Sequence, residues 1–149
     1  MNQIEQYWAK FLAETNTQNQ NYTYWHFELT EKLANELANL VLQGKKQATA
    51  SSIYSYESGD EPMPKEGDLS IITNWAGEPQ CVIKTTSVQV IPFKDVTFEI
   101  AKLEGEDENL DSWREGHIRY YQEICKLHNK EFTWDMPVVF EQFEMIYRK

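Results

Sequence analysis

Basic residues are scarce in this chain: 14 lysines and arginines stand against 24 aspartates and glutamates, a formal net charge of −10. Polynucleotide binding needs a basic face that displaces counterions, so any such contact must come from a local patch. A nucleoside carries no such penalty. Cysteine is scarce too, with only Cys81 and Cys125, outside any CxxC or His/Cys cluster. They read as buried, reduced thiols, and no structural zinc is expected. No stretch approaches about 18 apolar residues, and no N-terminal apolar run resembles a signal peptide, so a soluble, cytoplasmic protein without a membrane partner is expected. Internal repeats, a clear domain boundary and regular βαβ alternation are also missing.

What is present is core material. The chain has 149 residues, 41% of them hydrophobic and 13% aromatic, which suits one globular domain. We read residues 1–149 as that single unit, with a helix and a polar connector at 1–28. Ile4, Tyr7, Trp8, Phe11 and Leu12 have helical spacing. Residues 15–21 are polar and read as a loop, and residues 22–27 are aromatic and extended. Thr30 is a candidate N-cap for a helix whose stripe is Leu33, Leu37, Leu40 and Val41, closed by Gly44.

The hydroxyl-rich stretch 47–56 predicts a strand. Turns follow at 58–60 and 62–67, then strands at 69–73 and 81–91 around a turn at 75–79, ended by Pro92. Asp95 is a candidate cap for a short helix at 96–103. An acidic stretch containing Glu104, Glu106, Asp107, Glu108 and Asp111 precedes a long helix at 110–127. One or two strands rich in apolar residues close the chain. Strands interrupted by helices in this order predict a mixed α+β domain on a twisted sheet or small barrel.

The segment Gly44-Lys45-Lys46-Gln47-Ala48-Thr49-Ala50-Ser51 presents an amine and a hydroxyl close together at a helix exit. Lys46 is either a partner of the negative helix end or, with its pKa lowered by burial, a base for Thr49 or a water. Together with Gly67-Asp68, residues 79–83, 92–96 and 101–106, and Trp113-Arg114-Glu115-Gly116-His117, this segment resembles the ASCH domain family. The likeness runs from about Leu29 to Tyr147. It implies a PUA-like β-barrel with flanking helices and a nucleoside or RNA ligand held in a local pocket.

Some members of that family are amidohydrolases acting on N4-acetylcytidine, and others have been described as ribonucleases. The amidohydrolase motif is Gly-x-Lys-x-x-Thr-x-Arg with a later glutamate. Lys46 and Thr49 match the lysine and threonine, and Glu104 matches the glutamate. Ser51 stands where those enzymes have arginine, and a serine lacks the charged planar fork. The resemblance thus implies a metal-independent amidohydrolase without a cofactor, using Lys46, Thr49 and Glu104. The alternatives are a non-catalytic RNA- or nucleotide-binding module and, with less support, a ribonuclease. Ser51, Tyr54, Trp75, Arg114 and His117 are the candidate ligand contacts: aromatic rings stack on bases, arginines hold phosphates, and His117 shares a helix face with Trp113. Each also has a structural reading, as core aromatics, ion pairs with the acidic stretch, or a packed hydrogen-bonding histidine.

Overall fold

A computed structural model of the chain describes residues 1–59 and 61–148, so Asp60, within one expected turn, lies outside the described residues. Helix α1 (Gln3–Thr15) starts at Asn2, whose side chain accepts the Glu5 N–H while the Glu5 carboxylate accepts the Asn2 N–H. Strand β1 (Thr23–Trp25) follows the polar connector. Helix α2 (Glu31–Leu42) begins as expected at Thr30, whose hydroxyl accepts the Leu33 N–H at 3.3 Å. Just past α2, Gly44 has φ +76°, and the amides of Lys45 and Lys46 both donate to the Leu40 carbonyl.

The expected strand over 47–56 is shorter. Strand β2 (Ala48–Ser52) ends where the Ser52 hydroxyl accepts the Tyr54 N–H, and one helical turn, α3 (Tyr54–Glu57), takes over. Strands β3 (Leu69–Thr73) and β4 (Pro79–Pro92) match the sequence reading. The helix expected at 96–103 with Asp95 as its cap is instead three pieces. Fully buried Phe93 draws the chain into a 3-10 turn at 93–95, α4 (Phe98–Ala101) starts from Thr97, and a second 3-10 turn covers Lys102–Glu104. Helix α5 (Leu110–Leu127) is capped by Asn109, and the chain closes in one long strand, β5 (Pro137–Arg148).

The sheet order is β1-β3-β4-β5-β2, antiparallel except for the short parallel pair β1–β3. Long β4 and β5 pair along most of their length, with register shifts at 82/83 and 85/87 that bend them. The result is an α+β fold: a curled, mixed five-stranded half-barrel with flanking helices. Trp8 and Phe11 of α1 cover Leu69, Ile71 and Val82 on one face of the sheet. Leu37, Ala38 and Val41 of α2 pack with Ile72, Cys81 and Ile83 on the other. Trp113, Tyr121 and Cys125 of α5 close over Ala48, Ala50, Val138 and Phe140. Along β2, burial alternates so that Ala48, Ala50 and Ser52 go inward, leaving Thr49 and Ser51 on the opposite side. No helix among the described residues is long and apolar enough to cross a membrane.

Candidate active site

The helix α2 exit and the turn after α4 are joined through backbone. The Gln47 N–H donates to the Leu103 carbonyl at 2.8 Å. Gly105, at φ +73°, lies so close to the Lys45 carbonyl that a Cβ there would sit 2.2 Å from its oxygen. This docking brings Glu104 and Glu106, on either side of the glycine, to Lys46.

Lys46 is 2% exposed. Its Nζ donates to Glu106 Oε2 at 2.6 Å and to Glu104 Oε1 at 3.4 Å, and lies 5.0 Å from the centre of the Phe27 ring. Burial disfavours the charged amine, but the two carboxylates outweigh it and hold the pKa above 10.5. Of the two readings of Lys46, the lowered pKa is the one that fails: Lys46 rests as an ammonium, held by a second carboxylate that sequence could not reveal.

Glu104, also 2% exposed, accepts from Trp113 Nε1 at 2.5 Å, and His117 Nε2 lies 3.1 Å from its Oε2. His117 Nδ1 meets the Trp113 carbonyl at 2.8 Å, so that nitrogen must carry hydrogen. Nε2 then faces a carboxylate and needs a proton as well, which makes the ring an imidazolium. Burial opposes that charge, but Glu104 prevails and raises the His117 pKa above 6.5. Burial would likewise raise Glu104, but the charges of His117 and Lys46 and the hydrogen bonds from His117 and Trp113 bring it down to about 2. Glu106 goes the other way. Burial and the Glu104 charge outweigh Lys46 and lift its carboxyl above the usual 4.5. One carboxylate is firmly ionised, and the other is the easier of the two to protonate.

The cluster forms one wall of a cavity of about 720 Å³, a size suited to a small molecule. Thr49 and Ser51 line it from β2, Glu141 from β5, His117 and Tyr120 from α5, and Tyr24 and His26 from the β1 segment. Arg119 pairs with Glu28 at 3.5 Å, joining α5 to the connector ahead of α2. Eight carboxylates line the cavity against one lysine and one arginine, a charge balance that repels a phosphate backbone.

Residues 23–147 match the family model of the ASCH domain. The chain belongs to the ASCH family. Four solved chains match it. The ASCH domain from Lactobacillus crispatus JV V101 is 34% identical, with 98% of this chain and 92% of that one covered at a TM-score of 0.85. A protein from Enterococcus faecalis V583, of the family model DUF984, is 30% identical over 98% of this chain and 89% of its own, with a TM-score of 0.90. A hypothetical protein at 18% identity, covering 85% of this chain and 100% of its own, has a TM-score of 0.51 and shows the fold alone. No curated protein matches.

Of the residues proposed from sequence, this ASCH domain gathers Lys46, Glu104 and His117 into one network and sets Thr49 and Ser51 on the same cavity. Ser51 sits against the Tyr56 phenol, whose pKa burial pushes up to about 12 despite that contact. Tyr54, Trp75 and Arg114 are not among the lining residues. Tyr54 packs on the α5 side of the core under Lys130, Arg114 lies 5.4 Å from the Trp134 ring, and Trp75 stacks obliquely on His26 at 5.1 Å. Sequence reasoning missed Glu106 and Glu141. Glu106 was read only as part of an acidic run. Glu141 left one trace, an acid in the middle of an otherwise apolar strand.

Proposed function

We propose that this ASCH domain is a hydrolase that cleaves the amide of an acylated nucleoside of the N4-acetylcytidine type. The observation that carries the reading is the buried Lys46 ammonium, clamped by Glu104 and Glu106 at the wall of a cavity large enough for a nucleoside that also presents Thr49. The 2.6 Å contact between Lys46 and Glu106 is a path for a proton. Passing it to Glu106 leaves a neutral amine, able to deprotonate the attacking oxygen, which comes from Thr49 or from a water that Thr49 aligns. The tetrahedral adduct then collapses, its C–N bond breaks, and Glu106 returns the proton to the departing amine. With water as the nucleophile the acid forms directly. With Thr49 the acyl group stays on its oxygen as an ester. After the same transfer from Lys46 to Glu106, Lys46 deprotonates a water that attacks the ester, Glu106 returns the proton to the Thr49 oxygen, and the acid leaves. Glu104 stays ionised throughout and fixes Lys46, His117 and Trp113.

A second reading is a binding domain without turnover. It is favoured by Lys46, which at rest is a fully engaged ammonium and not a free base. The acid-rich lining speaks against a ribonuclease, since a polynucleotide phosphate would meet mostly carboxylates.

The test is incubation of the protein with N4-acetylcytidine and related acylated cytidines, followed by chromatography. Thr49→Ala is the partner variant, because it leaves the ion cluster untouched. Release of cytidine by the wild type and its loss in Thr49→Ala are expected. Nucleoside binding without release by the wild type establishes the binding domain instead.

A further inference from the structure

Glu141 is the buried acid that this chemistry leaves unused. It is 6% exposed, lines the cavity, and stands opposite Thr49 in the β2–β5 register. Thr85 on β4 donates its hydroxyl to Oε2 at 2.5 Å, whereas Oε1 has no protein donor among the described residues. The groups that act on it are Thr85, Tyr56 on α3 and Asp68 ahead of β3, with Glu61 of the same cavity acting on Tyr56. None is a cation. Asp68 is already neutralised, accepting the Lys65 N–H and pairing with its Nζ, both at 2.9 Å. A carboxylate nine-tenths buried with no positive partner is a costly arrangement unless a ligand completes it.

We propose that Glu141 is the specificity residue of the cavity, binding a basic ring nitrogen of the ligand by sharing a proton with it. The proposal rests on the nucleoside reading above and refines it: a cytosine-type base has such a nitrogen, and a uracil-type base does not. A uracil-type base can offer its N–H to Oε1 but leaves the buried negative charge uncompensated. Burial raises the Glu141 pKa, the Thr85 hydroxyl lowers it, and Asp68 raises it again, with a net rise. That rise runs in the direction a shared proton needs.

The experiment is calorimetric titration of the wild type and of Glu141→Gln with cytidine and with uridine across the neutral pH range. Wild type is expected to prefer cytidine by about 10–100-fold, the discrimination one well-formed base contact supplies. Its cytidine affinity is expected to fall as pH rises, by up to about tenfold per pH unit, because the complex holds a proton that the separated partners release. Glu141→Gln is close to isosteric and keeps the Thr85 hydrogen bond. It is expected to bring the two nucleosides within about threefold of each other and to flatten the pH profile. Retention of the wild-type preference and pH slope in Glu141→Gln would overturn the proposal while leaving the nucleoside reading intact. Binding of neither nucleoside by wild type would overturn both. A merely structural Glu141 would weaken both ligands equally and leave their ratio unchanged.

Discussion

Replacing Lys46 by methionine tests the charge state assigned to the centre of the site. Methionine keeps the length and apolar stem of lysine and removes only the ammonium. Two carboxylates lie 2.6 and 3.4 Å from Nζ, and each such pair is worth about 5–6 kcal/mol at an effective dielectric near 20. Most of that attraction offsets the desolvation of three buried charges. What the substitution leaves behind is a Glu106 carboxylate without its cation and a Glu104 held by His117 alone, a defect of about 3–5 kcal/mol. In a 149-residue domain this corresponds to a fall in Tm of roughly 10 °C.

The pH dependence fixes the interpretation. Without Lys46, native Glu106 has a carboxyl pKa raised even further above 4.5. Its destabilising effect is then full above that raised native pKa and disappears below the unfolded value. Urea unfolding of both proteins at pH 8 and pH 5 should therefore show the gap between them closing as pH falls. A neutral amine at rest would leave no charge to strand. Methionine would then change stability by under about 1 kcal/mol, equally at both pH values, and that result would refute the argument.

Glu104→Gln should free the His117 imidazole from its carboxylate. An NMR titration should find its pKa above 6.5 in the wild type and lower in the variant, and equal values would break the assignment of the imidazolium. Holding Glu104 at about 2 in place of 4.5 contributes about 3 kcal/mol, present above pH 4.5 and lost as pH falls toward 2. Acid unfolding of Glu104→Gln should lack that component. Gly105→Ala would place a Cβ 2.2 Å from the Lys45 carbonyl oxygen at φ +73°, so a loss above about 2 kcal/mol is expected in urea unfolding. An unchanged midpoint would mean that the turn is not docked there. Removal of residues 1–22 takes away Trp8 and Phe11 and uncovers Leu69, Ile71 and Val82; aggregation by light scattering, or a loss above about 3 kcal/mol, is expected. A shortened chain that unfolds at the wild-type midpoint would show that α1 is dispensable.

Elements with strong local signals were legible in the sequence. The α2 stripe with its Thr30 cap, the apolar run of β3 and the periodicity of α5 are decided within a few residues, and the structure follows them. The short elements were not. The end of β2 depends on a Ser52 side chain turning back to the Tyr54 amide, and the break at 93–95 depends on where Phe93 is buried. The resemblance identified Lys46 and Glu104, which lie 58 residues apart in the chain, and the fold brings Nζ to 3.4 Å from Oε1. It could not tell Glu106 from its acidic neighbours, since only docking of the turn separates a buried carboxylate from a solvated one. For the same reason sequence left both a charged and a neutral Lys46 open, and the carboxylate pair decides for the charged one.

Gly105 has a consequence for how this family can diversify. The acidic turn is fastened to the helix exit through main-chain atoms: a carbonyl pressed against a bare Cα and an N–H to Leu103. Side chains at 46, 104 and 106 thus arrive together as long as that glycine remains, whatever they are. A descendant can exchange its acids and its amine, trading one reaction for another or for none, on a scaffold whose geometry needs no revision.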